Sequence, residues 1–161
     1  MDGAEPQAEA VQGAAARAAA DFGAAADEVD DAAAARLGVN QTDLRILGLI
    51  GAAGTMTAGR LAEAARLSPA ATTAAIQRLV TAGHLTREMD PRDRRRAVVA
   101  LTAATQELIA RVYGPIGEAG DELLGGYSPA ELELITRFLR QGCAMQREQA
   151  ERIRAMSEDD F

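Results

Sequence analysis

A short capped helix followed directly by a charged β-hairpin constrains the fold of this chain more than any other feature. Ser68 and Pro69 predict the start of the helix, because a serine cap satisfies free amide groups and proline suits the first helical position. Gly83 is well placed to end the helix in a left-handed conformation. Two β-prone stretches, 84–89 and 97–101, then flank a charged turn. The predicted fold class is therefore mainly α with a small β-hairpin wing.

Two further helix starts precede this segment. Asn40 opens an N-x-x-D cap pattern and apolar residues follow at three-residue steps, which predicts a helix over about 41–52. Thr57 is placed to cap a short helix that ends near Ala65. This short helix and the helix after Ser68 meet at a tight turn.

The helix after Ser68 has two distinct faces when residues are placed at 100° intervals. The apolar stripe that should face the core consists of Thr72, Ala75, Ile76 and Leu79. The opposite face carries Ala70, Thr73, Ala74, Gln77 and Thr81, with Arg78 at its edge. Small side chains permit close approach to base pairs, glutamine can pair with adenine, and alanine or threonine methyl groups suit the thymine methyl. A face of small residues equally suits helix packing, so this pattern alone leaves both interpretations open.

The tip of the predicted hairpin is rich in arginine. Arg92, Arg94 and Arg95 lie in the turn that begins at Asp90. Guanidinium groups on such a tip suit the negative potential of a minor groove, and Asp93 is placed to orient one of them. A charged turn is also a common way to keep a hairpin soluble. Its position directly after the helix pair favours a nucleic-acid contact.

The net charge of −7 argues against a polyanionic partner, but the charges are unevenly distributed. Residues 41–101 carry nine arginines against five acidic residues, whereas 1–40 carry two against eight and 102–161 carry six against eleven. Every basic residue is arginine, which is suited to forked contacts with phosphates and guanine edges. A GC-rich coding bias and a solvated basic face explain the same pattern equally well.

The two flanks predict helices that lack a core of their own. Residues 1–12 accumulate glycine, proline and acidic residues, so we expect a disordered tail there. Residues 13–38 predict an alanine-dense helix that Gly23 can interrupt. Residues 103–156 predict two helices, the first kinked at its central proline and the second opened by a capping box at Ser128. Because large apolar side chains are sparse in a single chain, a partner subunit is expected to complete the core.

Residue counts argue against several other classes of function. Cys143 has no second cysteine to pair with, and the lone His84 lacks partners at zinc-site spacing, so we expect no disulfide, metal or cofactor. We interpret Cys143 as a buried structural thiol. No apolar run suits a bilayer and the N-terminus has no signal-peptide core, which predicts a cytoplasmic protein without membrane contact. No catalytic constellation is evident, so an enzyme is not expected.

The run from Val39 to Thr105 resembles the winged helix-turn-helix of MarR-family regulators. The family's wing pattern Asp-Pro-x-Asp-Arg-Arg stands here as Asp90, Pro91, Arg92, Asp93, Arg94 and Arg95. By that resemblance Arg94 enters the minor groove and Asp93 holds it through a salt bridge. The family's recognition helix often begins Ser-Pro-Ser-Thr. Ser68 and Pro69 match that start, whereas the next two residues are alanines.

The resemblance implies a domain order and a set of DNA-contacting residues. A winged helix-turn-helix DNA-binding domain covers 39–102, between dimerisation helices at 13–38 and 103–156. The candidates on the recognition helix are Ser68, Ala70, Thr73, Ala74, Gln77 and Arg78. The candidates on the wing are Arg92, Asp93, Arg94 and Arg95.

The implied function is that of a sequence-specific DNA-binding transcriptional regulator. By resemblance it is a repressor that binds a palindromic operator in double-stranded DNA as a homodimer. A small aromatic or phenolic ligand, bound between the dimerisation helices and the DNA-binding lobes, is expected to release it. The alternative is a winged-helix protein-interaction module without specific DNA binding, in which the acidic flanks carry the contacts. Salt-dependent binding to duplex DNA separates the two hypotheses.

Overall fold

The structure is a computed structural model and describes residues 4–89 and 96–157. Within these residues the elements are α1 (Ala4–Leu37), α2 (Gln41–Ala53), β1 (Thr55–Met56), α3 (Ala58–Ala65), α4 (Pro69–Thr81), β2 (Leu85–Met89), β3 (Ala97–Leu101), α5 (Ala103–Gly125) and α6 (Pro129–Ala155). The chain divides into two compact units, the first ending at Val112 and the second beginning at Tyr113. The predicted fold class, mainly α with a small β-hairpin wing, is confirmed.

The first unit contains the hydrophobic core. Its most deeply buried large side chains come from three helices that follow one another in sequence, and they are Ile46, Leu47 and Ile50 of α2, Leu61 of α3 and Leu79 of α4. Strands β2 and β3 add Leu85, Val98 and Val99, and the end of α1 adds Leu37. The apolar spacing that predicted these helices therefore also identified the residues that pack together.

Helices α2, α3 and α4 begin at the N-cap residues that the sequence predicts. The side chains of Asn40, Thr57 and Ser68 cap α2, α3 and α4 by accepting a hydrogen bond from the backbone amide three residues later. Gly54 and Gly83 follow α2 and α4 with φ angles of 75° and 79°. These left-handed conformations favour glycine because it has no Cβ.

The sheet has three strands rather than the two of the predicted hairpin. Strands β2 and β3 pair antiparallel, with Leu85 opposite Leu101 and Met89 opposite Ala97. The short strand β1 pairs with the other edge of β3, so the order is β1-β3-β2. Sequence reasoning missed β1 because two residues are too few to show an alternating pattern, and pairing with a distant strand defines it.

The N-terminal prediction requires a correction. We expected residues 1–12 to be a disordered tail, but α1 begins at Ala4 and continues without interruption through Gly23 to Leu37. Alanine has the highest intrinsic helix propensity, and its density here outweighs the cost of about 1 kcal/mol for a glycine inside a helix. From Gln7 onward, where the burial of this helix is described, the buried residues are Ala33, Ala34 and Leu37, near its C-terminal end.

The second unit contains the end of α5 and the whole of α6, whose described residues include none that is buried. Its exposed large apolar side chains are Ile116, Leu123, Leu124, Tyr127, Leu134, Phe138, Leu139, Met145 and Ile153. The interpretation of Cys143 as a buried thiol is wrong for the single chain, because α6 exposes it with its neighbours. Among the described residues, no helix combines the length and apolar character that crossing a membrane requires.

Candidate nucleic-acid interface

Helix α4 presents its two faces as the sequence predicts. The predicted inner stripe of Thr72, Ala75, Ile76 and Leu79 is buried. The six predicted contact residues, Ser68, Ala70, Thr73, Ala74, Gln77 and Arg78, are all exposed. The structure therefore leaves every recognition-helix candidate that the sequence identified exposed, five of them on α4 and Ser68 at its N-cap.

The start of α4 is fixed by two side chains. The hydroxyl oxygen of Ser68 accepts a hydrogen bond from the Ala71 amide at 3.2 Å. The buried Thr72 hydroxyl donates to the Ser68 carbonyl at 3.0 Å. The Ser68 hydroxyl proton is not used in its cap, because the oxygen acts there as an acceptor. Ser68 can therefore cap the helix and still donate a hydrogen bond to a phosphate.

The polar residues at the centre of α4 make hydrogen bonds along the helix and to the sheet. The Thr73 hydroxyl donates to the Pro69 carbonyl at 2.9 Å, which leaves its methyl group on the outer face. The Gln77 Nε2 group donates to the Thr81 hydroxyl at 3.4 Å. The Gln77 Oε1 atom accepts from Nη2 of Arg87, a residue of β2, at 3.3 Å. The amide of Gln77 is thus oriented by residues on either side.

Arg78 has a structural partner that the sequence analysis did not assign. Its Nη2 and Nε atoms donate to the two carboxylate oxygens of Asp43 at 2.8 and 3.3 Å. The Asp43 side chain is only 6% exposed, whereas that of Arg78 is 52% exposed. The hydrogen bond and then the charge of Asp43 raise the pKa of the Arg78 guanidinium. This ion pair ties α4 to the first turn of α2.

The sequence analysis used Asp43 only as part of the N-x-x-D cap pattern, although its position on α2 gave a second signal. Asp43 lies on the same face of α2 as Leu47 and Ile50, which are buried. A carboxylate on a buried face needs a partner, because burying an unpaired charge is costly. Asn40 supplies one hydrogen bond at 3.1 Å, and Arg78 supplies the opposite charge. The identity of the arginine became evident only from the fold.

The turn between α3 and α4 contains an unusual backbone conformation. Arg66 has a φ of 55°, and it is the only described residue other than glycine with a positive φ. Its backbone amide donates to carbonyls at the end of α3, so it closes that helix in the role that glycine usually fills. Sequence reasoning missed this position because arginine is not a turn signal.

Within the described part of residues 41–101, five exposed arginines come before and after α4 in the sequence. They are Arg45 of α2, Arg60 of α3, Arg66 of the turn, Arg87 of β2 and Arg96 beside β3. The wing candidates Arg92, Asp93, Arg94 and Arg95 lie outside the described residues. The structure describes the paired strands on both sides of them, up to the pair of Met89 with Ala97.

His84 belongs to a hydrogen-bonded junction between the end of α4 and the start of α5. Its Nδ1 atom lies 3.1 Å from the Thr105 hydroxyl. The Thr102 hydroxyl lies 2.9 Å from both the Thr105 hydroxyl and the Gly83 carbonyl. These contacts give His84 a packing role. Among the described residues, no three side chains of the His, Cys, Asp or Glu type are grouped closely enough to hold a metal ion.

Comparisons with known proteins agree with this architecture. The model of the MarR family matches residues 37–96. The HTH-type transcriptional regulator YcgE of Bacillus subtilis (strain 168) is 38% identical over 123 residues, which are 76% of this chain and 80% of that protein. The fold is similar to RV1404 from Mycobacterium tuberculosis, with a TM-score of 0.59, 20% identity and coverage of 89% and 94% of the two chains. It is also similar to MepR of S. aureus in a MepR–DNA complex, with a TM-score of 0.58, 17% identity and coverage of 78% and 94%.

Proposed function

Because the chain belongs to the MarR family, we propose that it is a transcriptional regulator that binds double-stranded DNA in a sequence-specific manner. The observation that carries this proposal is the exposure of all the recognition-helix candidates, on α4 and at its N-cap. The buried opposite face anchors that helix to the core. A helix held in this way can enter the major groove with its small and polar residues toward the base edges.

Small side chains on α4 support close approach to the bases. Ala70 and Ala74 have no polar group, so their contacts with bases are limited to apolar ones such as that with the thymine methyl. Thr73 and Gln77 supply hydrogen-bonding groups, and Ser68 is placed to donate to a phosphate. Arg78 is held by Asp43 but remains half exposed, so it fits a backbone contact beside the groove better than a base contact.

The arginines outside α4 suit a contact with the phosphate backbone. Arg45, Arg60 and Arg66 lie on the helices and the turn that precede the recognition helix. The wing is proposed to reach the adjacent minor groove, with Arg94 as the inserted side chain and Asp93 as its salt-bridge partner. Arg92 and Arg95 are proposed as further wing contacts. This part of the proposal depends on the Asp-Pro-x-Asp-Arg-Arg motif.

The regulator is proposed to act as a homodimer on a palindromic operator. The second unit exposes nine large apolar side chains along α5, α6 and the three residues between them, which is more than solubility favours. Exposed Phe22 and Val29 give α1 a similar apolar character. A two-fold dimer would present two α4 helices to successive major grooves, about 34–36 Å apart, which matches inverted half-sites. Such a dimer on a promoter would act as a repressor by excluding other proteins from the site.

Release by a small aromatic or phenolic ligand is proposed from the family resemblance. A ligand that binds better to a dimer whose DNA-binding lobes are misplaced would shift the population away from DNA. A screen of aromatic acids by thermal shift, followed by displacement of bound operator by each hit, tests this step. Hits that stabilise the protein and release DNA support it. A screen in which no compound does both contradicts it.

The proposed DNA binding is tested by titrating purified protein against the intergenic DNA beside its gene and against a scrambled duplex at several salt concentrations. We expect selective binding by a dimer. The logarithm of the binding constant should fall with the logarithm of the salt concentration, with a slope of about −0.9 for each phosphate neutralised. Weak binding that is insensitive to both sequence and salt would contradict the proposal and favour the protein-interaction alternative.

A pair of arginine variants tests the wing in the same assay. Arg94→Ala should weaken binding strongly, whereas Arg17→Ala, an exposed arginine on α1, should leave it unchanged. Both variants should retain the helix content and the dimer mass of the parent protein. Equal affinity of the Arg94→Ala variant and the parent protein would remove the wing from the mechanism.

A further inference from the structure

The amide of Gln77 does not stand alone on the outer face of α4. Its Oε1 atom accepts a hydrogen bond from Nη2 of Arg87 at 3.3 Å, and its Nε2 atom donates to the Thr81 hydroxyl at 3.4 Å. Arg87 is anchored in β2, opposite Val99 of β3, so its backbone is fixed by the sheet. The sheet and the recognition helix therefore meet at the one glutamine that α4 offers to a base.

This arrangement changes what Gln77 can offer to a base edge. A glutamine pairs bidentately with adenine by accepting from the adenine N6 amino group and donating to N7. The Arg87 hydrogen bond engages the accepting oxygen and places a positive guanidinium beside it. An adenine amino group approaching that oxygen would meet another donor. Adenine is therefore disfavoured at this position as long as Arg87 stays in place.

Most of the groups that remain available are donors, because one of the two lone pairs of Gln77 Oε1 is engaged by Arg87 and the other faces the positive charge of its guanidinium. One Nε2 hydrogen of Gln77 bonds to Thr81 and the other is not used in that contact. Arg87 carries five N–H donors, and its contact with Gln77 uses one of them. In the major groove, guanine presents two acceptors, O6 and N7, and no donor. A donor-rich, positively charged pair of side chains is complementary to that edge.

We propose that Arg87 is a positioning and specificity residue that turns Gln77 into a hydrogen-bond donor and so selects guanine at the base pair beneath it. This inference rests on the proposed DNA-binding function and adds which base one residue reads. It differs from the bidentate adenine contact that glutamine alone suggests. Arg87 acts both on the orientation of the Gln77 amide and, through its other N–H groups, on the same base edge.

The experiment is selection of bound duplexes from a randomised library, followed by affinity measurements on single-base variants of the selected site. The proteins compared are the parent chain and the Gln77→Ala, Arg87→Met and Arg87→Lys variants. If the parent chain prefers one base at an operator position and the Gln77→Ala variant does not, that position is the base pair that Gln77 contacts. Methionine keeps the length of the side chain without donors, and lysine keeps a charged donor.

We expect the parent chain to prefer guanine over adenine at the Gln77-dependent position, by about 5- to 150-fold for a good bidentate contact. Arg87→Met should move the preference at that position toward adenine and leave the other positions unchanged, because the Gln77 oxygen is then free to accept. Arg87→Lys should retain guanine. A loss of fold stability cannot mimic this result, since it would weaken binding to all sequences equally.

Three results would overturn the inference. One is a preference for adenine at the Gln77-dependent position in the parent chain. Another is an unchanged base preference in Arg87→Met. The third is the absence of any position that depends on Gln77, which would leave the proposed regulator function intact. A library from which no sequence is enriched would instead contradict the proposed function itself, together with this inference.

Discussion

The division of α4 into a buried inner face and an outer face proposed to contact DNA can be tested with two substitutions on this helix. Leu79 is 1% exposed and lies on the inner face, whereas Thr73 is exposed on the outer face. Leu79→Ala removes buried carbon atoms and leaves a cavity, which costs about 2–5 kcal/mol in the free energy of unfolding. For a chain of this size, each kcal/mol lowers Tm by about 2–4 °C. A loss of 3 kcal/mol thus corresponds to a fall of about 6–12 °C.

Thr73→Ala is the matched control. It removes the hydrogen bond from the Thr73 hydroxyl to the Pro69 carbonyl, which is exposed, and introduces a better helix former. Its effect on the free energy of unfolding should stay within about 0.5 kcal/mol. For operator affinity, Thr73→Ala should have the larger effect of the two substitutions. Measured well below both Tm values, Leu79→Ala should retain most of its operator affinity, whereas Thr73→Ala should lose affinity for the operator more than for a scrambled duplex.

The assay is thermal and urea unfolding followed by circular dichroism, at one protein concentration because a dimer's Tm depends on concentration. Binding to the selected operator is then measured on the same samples. If Thr73→Ala destabilises the protein as much as Leu79→Ala, the assignment of the two faces is refuted. The same conclusion follows if Leu79→Ala unfolds within 1 °C of the parent chain.

Three further predictions concern contacts that position the recognition helix or close a helix end. Asp43→Ala and Arg78→Ala should each lower Tm. Because both substitutions remove the same ion pair, the fall in Tm of the double variant should be smaller than the sum of the two single falls. Additive falls in Tm would show that the two residues are not coupled. Arg66→Gly should raise the free energy of unfolding by up to about 1 kcal/mol in urea titration, since glycine relieves the left-handed strain at φ 55°. The Ser128 hydroxyl and then the Ser128 amide lower the pKa of Glu131, so this carboxylate stabilises the fold above the ordinary glutamate pKa of 4.5 and loses that contribution as the pH falls through the lowered value. Glu131→Gln should therefore have a lower Tm than the parent chain at pH 7, and the difference should vanish on acidification; a pH-independent difference would contradict this origin.

The ion pair of Asp43 with Arg78 also bears on how DNA binding depends on the first unit. It joins the first turn of α2 to the last turn of α4, whereas α4 otherwise packs mainly against α3 and β2. A change in the position of α2 would therefore be transmitted to the recognition helix through the ion pair of Asp43 with Arg78. We therefore propose Asp43 as a positioning residue for the DNA interface proposed above, in which it takes no direct part because its side chain is buried.

Local sequence signals determined the helix ends and faces of the winged unit. The caps at Asn40, Thr57 and Ser68, and the termination at Gly83, depend on residues within four positions of each other along the chain. The inner and outer faces of α4 follow from the 3.6-residue period alone. The exposed recognition-helix candidates were therefore predictable without any tertiary information. The wing motif was equally evident in the sequence, and its role stays a prediction.

The tertiary structure decided every feature that joins residues far apart in the chain. Strand β1 exists because two residues pair with β3 some 45 positions later, and Arg78 meets a carboxylate 35 positions earlier. Gln77 meets Arg87 only because the sheet packs beside α4. None of these contacts leaves a periodic or capping signal, since each depends on how whole elements pack rather than on neighbours in sequence. Sequence thus specified which face of α4 is exposed, and packing specified which side chains hold that helix and orient its groups.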